Sequence, residues 1–254
     1  MNCYDTLKEK FSKRDRVIGT TVSMVNSTLL TERMYRPDLD FVLFDAEHGI
    51  FDAQNVVPQL QVCRLIGLPC MVRVQDSAYH LATKLIDMGA DGIMLPRTET
   101  LEQLRVAIDA LCFPPVGKKG MGGHGQFRSG ENYADFSKTR FLLPQIESPK
   151  GIENLPDMLK KYGEYIDAVM IGPYDMSAMV GTPRDITSDA MLSAVRQVFE
   201  ISAQFDKSVG IFCDDAQKAR LFRDMGANVL WVGTDSGFFM QGYNDTMNSV
   251  AAIL

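Results

Sequence analysis

A single (β/α)8 barrel, the TIM-barrel class, is the fold this sequence predicts, and three observations predict it. Short apolar runs alternate with segments of helical periodicity along the whole chain, and eight such runs can be counted. The runs are nearly continuous Val, Ile, Leu, Met and Phe, as in parallel strands covered on both faces. The length, 254 residues, matches the ~250 typical of one such barrel, so one domain spanning 1–254 is expected.

Val17 to Val22 forms the first strand and Ser27 to Tyr35 a short helix behind it, after which residues 40–46 form the second strand. From Asp52 to Ile66 the spacing of Val56, Leu60, Cys63 and Ile66 is helical, with Asp52 as the cap and Gly67 as the stop. Pro69 to Val74 is the third strand, His80 to Met88 a helix ended by Gly89, and Gly92 to Pro96 the fourth strand. The helix Thr100 to Leu111 opens on a capping-box pair, Thr100 and Gln103. Cys112 to Arg140 then breaks the rhythm with prolines and a glycine cluster, which suggests a lid or mobile loop. Strands resume at Phe141 to Glu147, Ile166 to Ile171, Ser208 to Cys213 and Val229 to Val232. The helices among and after them are Gly151 to Lys161, Asp189 to Phe205, Ala216 to Met225 and Asn244 to Leu254.

Composition narrows the function. A net charge of -6 and a pI near 5.1 argue against nucleic acid, whose partners carry basic patches. The first sixteen residues lack the apolar core of a secretory signal, and no run approaches a membrane span. A cytoplasmic enzyme acting on small molecules is expected. The five cysteines, Cys3, Cys63, Cys70, Cys112 and Cys213, form no C-x-x-C pair and are expected as buried thiols.

Chemistry is written at the strand ends. The second strand stops at Asp45, Glu47 and His48, and the fifth and sixth apolar runs end at Glu147 and Asp175. In a parallel barrel all these ends meet at one face, where substrates bind. Either acid alone could be a helix cap or a surface charge. Together, Glu147 and Asp175 suit a hard divalent cation such as Mg²⁺ or Mn²⁺, whose remaining positions water and substrate would fill. Zinc fits poorly, because His48, His80 and His124 show no ligand spacing. His48 sits where an imidazole could move protons near neutral pH. Arg73 lies inside the third strand, where a charge must find an anion. A salt bridge with Asp45 and a contact to a substrate carboxylate or enolate oxygen are both open readings. The glycine cluster at 120–125 matches no phosphate-binding pattern, and Lys150, on a loop after Glu147, is a weak Schiff-base candidate.

Taken together, Asp45-x-Glu47-His48-Gly49, Arg73, Gln145-Ile146-Glu147-Ser148, Gly172-Pro173-Tyr174-Asp175-Met176-Ser177 and Val232-Gly233-Thr234-Asp235 resemble the successive motifs of the HpcH/HpaI class II pyruvate aldolases. The resemblance runs nearly end to end and includes Pro114-Pro115-x-Gly117 and Lys119-Gly120-x-Gly122. It implies a metal-dependent aldolase that reversibly cleaves a 4-hydroxy-2-oxo acid to pyruvate and an aldehyde. A citrate-forming or CoA-ester lyase, or a non-catalytic metabolite-binding barrel, is the alternative. By the same resemblance Glu147 and Asp175 hold Mg²⁺, Mn²⁺ or a similar ion such as Co²⁺, and Arg73 contacts the oxygen that becomes the enolate. His48 transfers a proton with support from Asp45, while Gln145, Gly172 and Pro173 seat the substrate. Asp87 serves a neighbouring subunit's site. A homo-oligomer, a hexamer, with the last helix exchanged between subunits is also implied, Val250, Ala251, Ile253 and Leu254 forming the covered face. The chain departs from the family in having Lys119 where an arginine is usual and Thr21 where some members carry tryptophan.

Overall fold

Eight parallel strands close into a barrel in sequence order, each hydrogen-bonded to the next and β8 back to β1. The computed structural model describes residues 3–123 and 125–253. Two residues named above, His124 and Leu254, lie outside them. The chain runs α1 (Cys3–Lys13), β1 (Val17–Val22), α2 (Thr28–Met34), β2 (Phe41–Asp45), α3 (Val57–Ile66), β3 (Cys70–Arg73), α4 (Tyr79–Asp87) and β4 (Gly92–Leu95). It continues through α5 (Leu101–Leu111), α6 (Tyr133–Thr139), β5 (Phe141–Ile146), α7 (Pro149–Tyr162), β6 (Ala168–Ile171) and α8 (Pro173–Met179). The last elements are α9 (Asp189–Gln204), β7 (Ser208–Cys213), α10 (Ala216–Met225), β8 (Val229–Thr234) and α11 (Asp235–Ala251). The capping box at Thr100 and Gln103 is present at the start of α5.

Strand alternation divides the core in two. Val42, Phe44, Val72, Ile93, Leu142 and Val169 pack outward against the helices, while Phe41, Leu43, Met71, Met94, Phe141, Leu143 and Met170 fill the barrel. On β2, β3 and β5 the inward series turns from apolar to polar as it reaches the carboxyl end: Phe41, Leu43, Asp45; Met71, Arg73; Phe141, Leu143, Gln145, Glu147. The barrel is therefore greasy below and ionisable at its mouth.

Several expectations need correction. The charged N-terminal stretch forms α1, whose Leu7 and Phe11, four residues apart, seal the amino-terminal end of the barrel. Lys8 anchors it to Asp167 at 2.8 Å. Asp52 does not cap α3. Pro58 fixes that helix start further on, and Asp52 instead accepts the backbone N–H of Gln54 at 2.7 Å and Asn55 at 2.9 Å in a turn. The 112–140 segment joins the end of α5 to the start of β5, on the face opposite the mouth, so it cannot be a lid over this chain's own site. It is ordered by ring contacts, with Phe113 stacked on Tyr133 (4.7 Å) and tilted against Phe136 (4.6 Å), and it contains α6. Asp175 stands on the first turn of α8 and not on the strand itself. The final helix begins at Asp235, earlier than expected, and exposes Phe239, Tyr243 and Val250, with Ile253 exposed just beyond its end. All five cysteines are free thiols. Among the described residues no helix is long and apolar enough to cross a membrane.

Candidate active site

Strand register builds the first half of the mouth. Asp45 and Arg73 are direct partners across β2 and β3, and the guanidinium grips the carboxylate in a fork, Nε to Oδ1 at 2.8 Å and Nη2 to Oδ2 at 2.6 Å. Burial works against charge on both groups, but each is outweighed by the other: Asp45 is held below the usual carboxylate range and Arg73 above its ordinary value. Asp45 Oδ1 also accepts the backbone N–H of Glu47 at 3.0 Å and of His48 at 3.3 Å, folding the chain tightly after the strand. Gly49 completes the turn, because a Cβ there would stand 2.3 Å from the Asp45 carbonyl oxygen.

The second half comes from β5 and the start of α8. Glu147 is buried at the end of β5, and its Oε1 accepts the backbone N–H of Arg97 at 2.9 Å. Arg97 has φ 46, a left-handed backbone, and persists in this strained form beside a cluster of ionisable groups. Burial first, and then the like charges of Asp175 and Glu47, push the Glu147 carboxyl up to about 8. Gly172 admits this packing: a Cβ at that position would lie 2.3 Å from both Gln145 Nε2 and Glu147 Oε2. Gln145 Oε1 is buried without a hydrogen-bond partner.

These features fit a hard cation. The donors are carboxylate oxygens, the Glu147 carboxyl being pushed up first by burial and then by its acidic neighbours, with an orphaned amide oxygen on the same strand. Among the described residues no three His, Cys, Asp or Glu side chains form a ready-made cage, so Glu147 and Asp175 would leave positions for water and substrate oxygens, the usual arrangement for Mg²⁺ or Mn²⁺.

The mouth cavity has a volume of about 480 Å³ and is lined by Asp45, His48, Arg73, Gln145, Pro173 and Asp175, among others. His48 is largely exposed, and its carboxylate neighbour is Glu47, Nε2 to Oε2 at 3.8 Å, whereas Asp45 meets only the His48 backbone. The support assigned to Asp45 therefore passes through the turn and not through the imidazole. Glu47 is the acid the sequence reading left out of the site. It also faces Arg73 Nη1 at 3.4 Å and Arg97 Nε at 3.5 Å, and burial raises its pKa despite these cations. The signal was present in the motif, since Glu47 lies between two residues already placed in the site. Thr21, noted above as a departure from the family, lines the cavity and accepts a hydrogen bond from the indole N–H of Trp231, which also lines it and was missed. Asp87 ends α4 on the opposite face, where it pairs with Lys119 at 2.5 Å and supports Gly125 through its carbonyl at 3.0 Å. It takes no part in this chain's own mouth. Lys150 pairs with Glu99 at 3.1 Å and does not line the cavity.

Comparison with known proteins gives a consistent picture. The sequence profile of the HpcH/HpaI aldolase/citrate lyase family matches residues 23–242. A 2-keto-3-deoxy-L-rhamnonate aldolase of Salmonella typhi is 29% identical over 246 residues, covering 94% of this chain and 91% of the relative. A hydroxypyruvate/pyruvate aldolase of Delftia acidovorans is 30% identical over 208 residues, covering 80% of this chain and 76% of the relative. The crystal structure of an HpcH/HpaI aldolase from Desulfitobacterium hafniense superposes with a TM-score of 0.88 at 24% identity, covering 96% of each chain.

Proposed function

The chain belongs to the HpcH/HpaI aldolase/citrate lyase family, and from that premise we propose that it is a divalent-metal-dependent pyruvate aldolase. It cleaves a 4-hydroxy-2-oxo acid of the 2-keto-3-deoxy class to pyruvate and an aldehyde, and runs the condensation in reverse. The observation that supports this reading is that a paired guanidinium, Arg73, an acid, Asp175, and an exposed imidazole, His48, line one cavity, with a second acid, Glu147, buried beside Asp175. Names of relatives near 30% identity over most of the chain support the same reaction class.

Cleavage breaks the C3–C4 bond of the substrate. The C4 hydroxyl loses its proton, its oxygen becomes the aldehyde, and the bonding pair passes into a pyruvate enolate with charge on the C2 oxygen. A divalent ion held by Glu147 and Asp175 would supply Lewis-acid stabilisation of that charge. Arg73 adds a fixed cation from the N–H groups that the fork to Asp45 leaves free, and because Asp45 already orients it, no reorganisation is needed as charge develops. Gln145 offers an amide for the 2-oxo carboxylate, and the Gly172–Pro173 backbone shapes the floor beside it. His48, reaching out from the turn, takes the C4 hydroxyl proton, and Glu47 at 3.8 Å stabilises the imidazolium that results.

These roles separate experimentally. In deuterated buffer, Arg73→Ala should abolish both aldol cleavage and exchange of the pyruvate methyl protons, since enolate charge builds with or without an aldehyde. His48→Ala should slow cleavage by about 10²–10⁴-fold and exchange much less. Equal loss of exchange in both variants would reassign His48 to the C3 proton. Circular dichroism must accompany Arg73→Ala, which leaves Asp45 buried without its partner.

We further place the enzyme in the cytoplasm and in a homo-oligomer, a hexamer, that covers α11. Free thiols at all five cysteines suit a reducing compartment. The exposed Phe238, Phe239, Tyr243 and Met247 on one helix make an apolar surface of the kind that marks an interface.

A further inference from the structure

The motif Val232-Gly233-Thr234-Asp235 takes no part in the enolate chemistry, yet its last residue holds a piece of the mouth from behind. Asp235 opens α11 and is, among the described residues of that helix, the one that is buried. Its Oδ1 accepts the backbone N–H of Ser23 at 2.9 Å and the Ser23 hydroxyl at 3.0 Å, and its Oδ2 the backbone N–H of Met24 at 3.0 Å and of Val25 at 2.6 Å. Three successive amides thus cup one carboxylate, an arrangement that favours an anion. Burial works against that charge, but the backbone N–H groups of Ser23, Met24, Val25 and Ser236 outweigh it and hold the Asp235 carboxyl below the usual range. The latch ties the start of α11 to the connection between β1 and α2, where Ser23 and Met24 line the mouth cavity.

The latched segment is also one side of the clamp on the His48 turn. The Ser23 carbonyl accepts the backbone N–H of Ile50 at 2.8 Å. A Cβ on Gly49 would stand 2.7 Å from that same oxygen and 2.3 Å from the Asp45 carbonyl oxygen. The turn is therefore held between Asp45 on one side and Ser23 on the other. The His48 side chain itself is 63% exposed, so packing does little to fix the imidazole, and the path of its backbone decides where it points. A misplacement of ~1 Å in a catalytic group costs on the order of 10²-fold in rate, which makes the second side of the clamp consequential for chemistry.

We propose that Asp235 is a positioning residue for His48: its carboxylate fixes residues 23–25, and the Ser23 carbonyl in turn sets the 48–50 turn and the reach of the imidazole into the mouth. This assignment rests on the pyruvate aldolase reading and extends its proton-transfer half by a residue that touches no substrate. Asp235 therefore matters for the step His48 performs and not for enolisation, which belongs to Arg73 and the ion that Glu147 and Asp175 would hold.

The test compares two rates in enzyme supplied with Mn²⁺. Pyruvate methyl exchange in deuterated buffer reports enolisation alone, and condensation of pyruvate with glycolaldehyde reports the whole cycle. Asp235→Asn keeps the size of the side chain but sets an amide N–H group against the backbone donors, which loosens the latch. It should lower condensation kcat by about 10–100-fold and leave exchange within about threefold of the parent. Asp235→Glu keeps the charge but carries the carboxylate one methylene further, and should give the same split between the rates if the asparagine variant is too unstable to assay. The double variant His48→Ala/Asp235→Asn should be slower than His48→Ala by no more than about threefold, because nothing is left to position once the imidazole is gone. Asp40→Asn is the comparison for stability alone. Asp40 makes a similar latch at the amino-terminal end of β1, accepting the Ile18 backbone N–H at 2.8 Å, and its substitution should lower Tm without changing the ratio of condensation to exchange. If the Asp235 variants lower both rates equally, or if their effect multiplies with that of His48→Ala, the positioning role falls and the aldolase reading stands. If the metal-loaded parent shows no exchange, both fall.

Discussion

Substituting Gly172 by alanine isolates the packing of the acid centre from its chemistry. The added methyl would begin 2.3 Å from Gln145 Nε2 and from Glu147 Oε2, while ordinary contact starts at 3.4 Å, so each group must retreat by about 1 Å. The backbone itself is no obstacle, since φ -89 and ψ 98 suit any residue. A misplacement of ~1 Å in a catalytic constellation costs on the order of 10²-fold in rate, and both cleavage and pyruvate exchange should fall by about that factor. Overpacking of this kind costs roughly 1–3 kcal/mol, which at about 2–4 °C per kcal/mol lowers Tm by several degrees and leaves the protein folded at the assay temperature. Gly120→Ala is the control, because a Cβ there has nothing within 4 Å, and it should change neither rate nor Tm. A Gly172→Ala enzyme that is destabilised as expected yet keeps both rates within threefold of the parent would show that the placement of Gln145 and Glu147 does not limit the reaction.

Three other outcomes follow from the same geometry. EDTA should abolish activity and Mn²⁺ or Mg²⁺ restore it, with no pyruvate–lysine adduct trapped by borohydride, since Lys150 is paired outside the cavity; trapping together with EDTA-resistant turnover would refute this. With the metal chelated, Glu147 holds its proton up to about 8 in the folded protein against an ordinary value of 4.5. Between those values the folded state binds more protons than the unfolded one, so stability falls as pH rises, by up to ~1.4 kcal/mol per unit. The Tm difference between parent and Glu147→Gln in EDTA should therefore shift steadily against the parent from pH 5 to 8, and a flat difference would contradict the assignment. Light scattering at micromolar concentration should give a multiple of the 28.3 kDa chain mass, reduced by Phe239→Glu on the exposed face of α11; a monomeric parent would remove the proposed assembly.

What the sequence revealed and what it hid have the same physical origin. Continuous apolar runs identify strands buried on both faces, and their abrupt endings at Asp45, Arg73 and Glu147 mark the mouth, because period two carries the inward register straight from Leu43 to Asp45 and from Leu143 through Gln145 to Glu147. Tertiary pairing leaves a fainter trace. The bridge from Arg73 to Asp45 was one of two open readings for a charge inside a strand, but that Asp45 also takes the His48 backbone, leaving Glu47 for the imidazole, depends on a turn whose geometry only the folded chain contains. The N-terminal helix was hidden by its charges, since only Leu7 and Phe11 face the barrel and two apolar residues make a weak period. The 112–140 segment resembled a lid because glycine and proline suggest freedom, yet the path of the chain places it at the wrong end of the barrel.

Charge counting at the mouth explains why these residues are kept together at a cost to the fold. Asp45, Glu47, Glu147 and Asp175 bring four acids to one cavity region, while Arg73 and Arg97 bring two cations. With every group ionised the cluster has two negative charges in excess, in a setting where burial already disfavours charge. The metal-free protein relieves this by keeping a proton on Glu147, which removes one of the two. A monovalent ion would leave a residual charge once that proton departs, whereas a dication balances the fully ionised cluster. A preference for a dication is thus one consequence of the excess of acid at the mouth.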